Sequence, residues 1–202
     1  MATQVPDPKS AAAAASTIAA IDIGANSTRL VVAEVLPDGQ IEMIEELVRA
    51  SGQGHDSFRR GVLSARTMRA LVAILRDFKR TLGLYNVQRL RAVATSAVRE
   101  ATNRDLFLDR VFLATGIEVE VIQAAEESRL TVSAVRHAME RALRRAHGLT
   151  LVAEVGGGST LLTLIEGEEI QSSMSLPLGA IRMQEALAVM NEPPKRVAEI
   201  LR

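Results

Sequence analysis

Two stretches of the sequence carry the residue types of phosphate chemistry in the same order. Residues 21–32 read I-D-I-G-A-N-S-T-R-L-V-V and residues 153–164 read A-E-V-G-G-G-S-T-L-L-T-L. Asp22 matches Glu154, Gly24 matches Gly156, Ser27 matches Ser159 and Thr28 matches Thr160, all at one constant offset. Each copy runs from an apolar strand through an acid and a turn of small residues into Ser-Thr and a second strand. A glycine turn between strands exposes backbone N–H groups and lets a phosphate come close to them. The Ser and Thr hydroxyls add donors at the same mouth. An acid at the end of the first strand would repel phosphate, so it is better placed to hold a divalent cation that meets the phosphate oxygens. Two such copies facing one another make a cleft with a phosphate loop on each wall. One copy alone reads equally well as an ordinary hairpin. Two in register are a much more specific signal.

The elements that must position these residues follow from hydrophobic periodicity. Residues 18–24, 28–36 and 41–49 read as strands, with a turn at Pro37-Asp38-Gly39. A polar, glycine-rich loop is expected over 51–61. Ser64 then caps a helix on which Met68, Leu71, Val72, Leu75, Phe78 and Leu82 recur at helical spacing, with Gly83 at the position of a C-terminal glycine. A strand over 89–95, a helix over 103–115 ending at Gly116, a strand over 117–122 and a long helix over about 126–146 complete the unit. The order βββαβαβα is that of a ribonuclease H-like α/β unit: an antiparallel meander extended by parallel strands, with helices on both faces. After Gly148 the pattern restarts with strands at 150–155, 160–166 and 169–176 and a helix at 180–190. Asn191-Glu192-Pro193-Pro194 breaks it, a short helical segment runs to Arg202, and the second unit stops after βββα. The expected division is a disordered tail at 1–17, a first domain at 18–124, and a linking helix with part of a second domain at 125–202.

Composition excludes several classes. Lys plus Arg and Asp plus Glu are equal at 24 each, so no global positive field marks a nucleic-acid binder. A polyanion would need a local site. The absence of cysteine removes disulfides, thiolate metal sites and cysteine nucleophiles together. His55, His137 and His147 are too scattered to read as a ligand set. No apolar run approaches the ~18 residues of a membrane span. The first residues lack a basic stretch before their alanine run and carry Asp7, which reads as a tail and not a signal peptide, so a cytoplasmic chain is expected.

Several separate motifs in one order resemble the exopolyphosphatase and guanosine pentaphosphate phosphohydrolase family of the actin, hexokinase and Hsp70-like superfamily. They are D-I-G-A-N-S-T-R-L (22–30), A-T-S-A-V-R-E-A-T-N-R-D (94–105), G-I-E-V-E-V-I (116–122), A-E-E-S-R-L (125–130), E-V-G-G-G-S-T (154–160) and S-L-P-L-G-A-I-R (175–182). The resemblance implies two domains with the active site between them, and Mg²⁺-assisted (or Mn²⁺-assisted) removal of a terminal phosphate from polyphosphate. The guanosine alarmone is the alternative substrate, and a non-catalytic polyphosphate or nucleotide sensor is the alternative role. Glu127 aligns with the family glutamate that activates the attacking water, a role a carboxylate within reach of a water can fill. Glu126 is the less favoured neighbour. The resemblance sets Arg99 facing the phosphates, where a guanidinium fork suits their oxygens. It places Asn26, Ser27, Gly157, Gly158 and Ser159 in the phosphate loops with Gly24 and Gly156, while Thr95 and Ser96 add hydroxyl donors. Asp22 and Glu154 are the implied metal residues, and Arg129 is expected in a structural ion pair.

The sequence also departs from the family pattern. Glu154 stands where the family usually has Asp, and Ala25 where it usually has Ser. The run A-S-G-Q-G-H (50–55) replaces an Arg-Leu-Gly-Glu-Gly-like run, with Arg49, Arg59 and Arg60 nearby. Family members are longer, so a fragment or a truncated product is expected. An unpaired sheet edge in the second unit would then invite association, a homodimer included.

Overall fold

The computed structural model describes residues 16–143, 148–167 and 169–190. Most of the expected tail, the end of the long helix and the segment expected after Met190 lie outside these residues. Strands β1 (Ser16–Ile23), β2 (Ser27–Val35) and β3 (Ile41–Ala50) form the expected meander. Ser16 and Thr17, assigned above to the tail, belong to β1 and pair with Val35 and Glu34. Along β1 the side chains alternate: Ala19, Ile21 and Ile23 are buried, while Ala20 and Asp22 open onto the other face. β4 (Arg89–Ala94) joins the free side of β1 in parallel and β5 (Val119–Val121) joins β4, giving the order β3-β2-β1-β4-β5. The parallel strands β1 and β4 end side by side, with Ile23 opposite Ala94. Asp22 and Thr95 therefore emerge at neighbouring strand ends, where ligands of open α/β sheets bind.

Helix α2 (Ala65–Leu84) begins at Ser64, whose hydroxyl accepts a hydrogen bond from the Thr67 amide as the sequence predicts. Its Met68, Leu71, Leu75, Phe78 and Leu82 form one core with Ile21, Ile23, Leu30 and Val32 of the sheet. Phe107 and Val111 of α4 (Arg104–Thr115) complete it. Each such side chain contributes about 1.5–3 kcal/mol by leaving water. Gly116 ends α4 with φ 68°, as expected for a terminal glycine. Gly83 does not play that part. It stays inside α2, and the chain turns at Asn86, whose φ is 49°. Asn tolerates the left-handed region, and the Val87 amide closes the turn onto the Leu82 carbonyl.

The segment 51–61 is not a loop. It contains helix α1 (Gln53–Arg60), bracketed by Gly52 at φ 63° and Gly61 at φ 70°. Its polarity concealed it, because the face it buries is Gln53, Gly54 and Ser57 and not an apolar stripe. A further short helix, α3 (Ser96–Arg99), follows β4 and carries no period of its own.

Helix α5 (Ala124–Leu143) leads to a second sheet of order β6-β7-β8: β6 (Leu149–Val155), β7 (Thr160–Glu166) and β8 (Glu169–Leu176). On one face Leu161, Thr163 and Ile165 are buried. There Ser128 of α5 hydrogen-bonds Ser173 at 2.6 Å and contacts Thr163 at 3.4 Å. On the other face Leu151, Val155 and Met174 stay largely exposed among the described residues. Helix α6 (Ala180–Met190) turns back across α1, where His55 Nδ1 meets Glu185 Oε1 at 2.6 Å.

Candidate active site

The two motif copies fold into the same turn. The Gly24 amide donates to the Ser27 carbonyl at 3.0 Å, and the Gly156 amide donates to the Ser159 carbonyl at 2.9 Å. Asp22 and Glu154 occupy the penultimate positions of β1 and β6. The two turns come together: a Cβ on Gly157 would lie 3.0 Å from Ala25 Cβ and 3.8 Å from the Asn26 nitrogen. Between them lies a cavity of about 190 Å³. It is lined by Asp22, Gly24, Asn26, Ser27, Thr95, Ser96, Glu127, Glu154, Gly156, Gly157, Gly158 and Ser159, with Ala25. Every sequence-derived site residue except Arg99 is therefore in one place.

The turns present donors because their carbonyls are held elsewhere. In the first, Gly24 O accepts from Gln53 Nε2, Ala25 O from the Gly54 amide at 2.7 Å, and Asn26 O from the Ser51 and Gly52 amides at 3.0 Å. In the second, Gly156 O accepts from the Ala180 amide at 2.9 Å, and Gly157 O from the Ile181 and Arg182 amides at 2.9 and 3.1 Å. Gly158 O accepts from Arg182 Nε at 2.7 Å. Among the described residues, the amides of Ala25, Asn26, Gly157 and Gly158 donate to no protein atom. Four such donors at one cavity suit the oxygens of a phosphate.

Glycine is required at the tightest points. A methyl at Gly158 would run into Ser96 and come within 2.6 Å of the Phe58 ring, and one at Gly179 would overlap the Gly157 and Gly158 backbone.

Glu127 sits in the first turn of α5 and is held by Arg99, whose Nη1 lies 3.3 Å from its Oε2 and also donates to Ile122 O at 2.7 Å. Arg99 is thus placed on the glutamate and is not among the residues that line the cavity. Burial pushes the Glu127 carboxyl up. Arg99 opposes that shift, and Glu154 and Asp22 add to it. Asp22 is also pushed up, first because surrounding protein thins the water about it, then by Glu154, against the pull of Arg29. Glu126 points away. It pairs with Arg129 at 2.8 Å, the structural ion pair expected for that arginine, and with Arg91 at 3.4 Å.

Three carboxylates and no basic side chain line the cavity, so a bare phosphate there meets like charge. Among the described residues no acidic or histidine group of three or more is close enough to enclose a metal by itself. That donor set fits Mg²⁺, which takes one or two carboxylates and completes its shell with water and substrate phosphate. The arginines near the departing 50–55 run do not line the cavity: Arg49 bonds to Val48 O, and neither Arg59 nor Arg60 is among the lining residues.

The sequence reading missed Thr131, whose hydroxyl donates to Glu154 Oε2 at 2.6 Å. Its spacing of one helical turn from Glu127 was the available signal. It also missed Gln53, fully buried beneath the first turn, and Arg182 beneath the second.

Comparison with known proteins bears on the family and the fold. Residues 52–200 match the model of the Ppx/GppA phosphatase family. The chain is 35% identical over 193 residues to exopolyphosphatase 2 of Mycobacterium tuberculosis, covering 90% of this chain and 57% of that protein. It is 30% identical over 167 residues to a guanosine-5'-triphosphate,3'-diphosphate pyrophosphatase of Aliivibrio fischeri, covering 83% of this chain and 32% of that one. The crystal structure of the Aquifex aeolicus family member superposes with a TM-score of 0.73 at 32% identity, over 86% of this chain and 55% of that chain. The chain spans about half the length of the exopolyphosphatases it matches. With paired turns, ribonuclease H-like sheet order and family match in agreement, this chain belongs to the Ppx/GppA phosphatase family.

Proposed function

We propose that the protein is a phosphoanhydride hydrolase that releases terminal phosphate from inorganic polyphosphate. The observation that carries this reading is the meeting of two matched glycine turns, four of whose amides donate to no protein atom among the described residues, at a cavity shared with Glu127. In this reading the amides of Ala25, Asn26, Gly157 and Gly158 hold the terminal phosphate, and the hydroxyls of Ser27, Thr95, Ser96 and Ser159 orient it. Glu127 takes the proton of the attacking water, and its raised pKa makes it a stronger base than an ordinary carboxylate. Asp22 and Glu154 would hold Mg²⁺ or Mn²⁺, which supplies charge neutralisation of the phosphates. Arg99 fixes the Glu127 carboxylate and tunes it downward. The reading treats residues 18–124 and 125–202 as parts of two domains closing on the substrate, and places the protein in the cytoplasm. Self-association through the open second sheet belongs to it as well, and sedimentation measures that directly.

The exopolyphosphatase relatives support polyphosphate, while the Aliivibrio relative keeps the guanosine alarmone as the second substrate to test. The experiment is phosphate release from both substrates, with and without Mg²⁺ or Mn²⁺. Polyphosphate turnover should depend on the cation and fall by about 100- to 10,000-fold in Glu127→Gln. Undiminished release by that variant removes Glu127 from the chemistry. Tight binding with no turnover by the unaltered protein would favour a sensor.

A further inference from the structure

Arg182 closes the motif S-L-P-L-G-A-I-R, to which no role was assigned from the sequence. It lies on α6 behind the second turn and bonds in three directions. Its Nε donates to Gly158 O at 2.7 Å. Its Nη2 meets Glu100 Oε1 at 2.5 Å. Its guanidinium carbon stands 4.1 Å above the centre of the Phe58 ring. The Arg182 side chain is 20% exposed and that of Glu100 43%, so water screens the ion pair more than the contacts to Gly158 and Phe58.

Each contact reaches a different element. Gly158 belongs to the second turn, Phe58 to α1, and Glu100 ends α3. The residue before Glu100 is Arg99, which holds Glu127. A connected path therefore runs from the Gly158 carbonyl through Arg182 and Glu100 to the helix that fixes Glu127. A guanidinium suits this place because its planar fork bonds along two edges while its face lies on an aromatic ring. An ammonium would keep the charge and lose that geometry.

We infer that Arg182 is a positioning residue: it holds the Gly158 carbonyl out of the cavity and locks the second phosphate turn to the α3 helix that aims Glu127. The catalytic part of this inference rests on the hydrolase reading above. Without Arg182, Gly158 O is free to rotate toward the cavity, bringing to it an acceptor that repels phosphate.

The test compares Arg182→Met, Arg182→Lys and Glu100→Gln by steady-state phosphate release from polyphosphate and by amide hydrogen exchange at Ala180 and Ile181, whose N–H groups bond to the second turn. Arg182→Met should lower kcat by about 100-fold, the cost of misplacing a reacting group by ~1 Å, with a smaller change in KM. Exchange at the two amides should quicken. Arg182→Lys should recover only part of kcat, and Glu100→Gln should cost less than Arg182→Met. If the unaltered protein releases no phosphate from either substrate, the hydrolase reading fails while the exchange result still decides whether Arg182 holds the turn. Unchanged exchange together with unchanged kcat in Arg182→Met overturns the inference, as does full recovery by Arg182→Lys. If Arg182→Met does not fold, the Lys and Glu100→Gln variants decide the question by the same two measurements.

Discussion

At the scale of single residues, two carboxyl groups of the cavity are held above their ordinary range. Asp22 and Glu127 are raised mainly by lost hydration. A carboxyl whose folded pKa exceeds its unfolded one binds its proton more tightly in the fold. The stability this contributes is present below the unfolded pKa and is lost as pH rises through the folded pKa. Asp22→Asn should therefore raise the melting temperature of the metal-free protein at neutral pH and remove part of the decline between acid and neutral pH. Thermal melts of both proteins across that range check this, and a lower melting temperature for Asp22→Asn at neutral pH contradicts it. Arg99 acts on Glu127 in the opposite sense, lowering it by charge and hydrogen bond. Arg99→Leu should then move the acid limb of the kcat/KM profile to higher pH, because the base stays protonated further up the scale. A limb that stays in place would show that Glu127 is not the group titrating. Glu154 also looks different once placed. Its carboxylate is tied to Thr131 of α5, so the residue that departs from the family Asp has a fixed partner.

At the scale of elements, each glycine turn depends on the segment that follows the third strand of its meander. Ser51, Gly52 and the start of α1 take up the carbonyls of the first turn, and the start of α6 with Arg182 takes up those of the second. This shared arrangement explains the glycines at the contact. Gly158→Ala places a methyl against Ser96 and Phe58, so the turn must move away from α3. We expect about 1–3 kcal/mol of lost stability from the overpacking and a loss of turnover near 100-fold from the displaced turn. Urea unfolding and phosphate release measure the two effects separately. Wild-type turnover in that variant would show that the Ser96–Gly158 contact does not set the site. α1 also shows why an element can escape a sequence reading. Periodicity finds helices by their apolar stripe, and α1 packs with Gln53, Gly54 and Ser57.

At the scale of the whole molecule, the cavity joins groups from two sheets that share no hydrogen-bonded strand. A ligand that bonds both turns should tie the two parts together. Tripolyphosphate with Mg²⁺ should therefore raise the melting temperature, by the equivalent of about 2.7 kcal/mol at a hundred times its dissociation constant. Tripolyphosphate without the cation should do much less, because three carboxylates line the cavity. Equal stabilisation with and without Mg²⁺, read by differential scanning calorimetry, would remove the cation from binding.

The repeated acid–glycine–serine pattern, the strand order and the core of α2 are properties of local sequence. Turn chemistry and hydrophobic period act over a few residues, and both motif copies announced their hairpins that way. The motifs also marked the residues of the cavity wall. What the tertiary structure alone decided is how those residues face one another. That Gly157 meets Ala25, that Thr131 holds Glu154, that Arg99 attends Glu127 and that Arg182 turns the Gly158 carbonyl away are contacts between segments far apart in the chain. They are set by packing and hydrogen bonding between elements, and no local pattern encodes them.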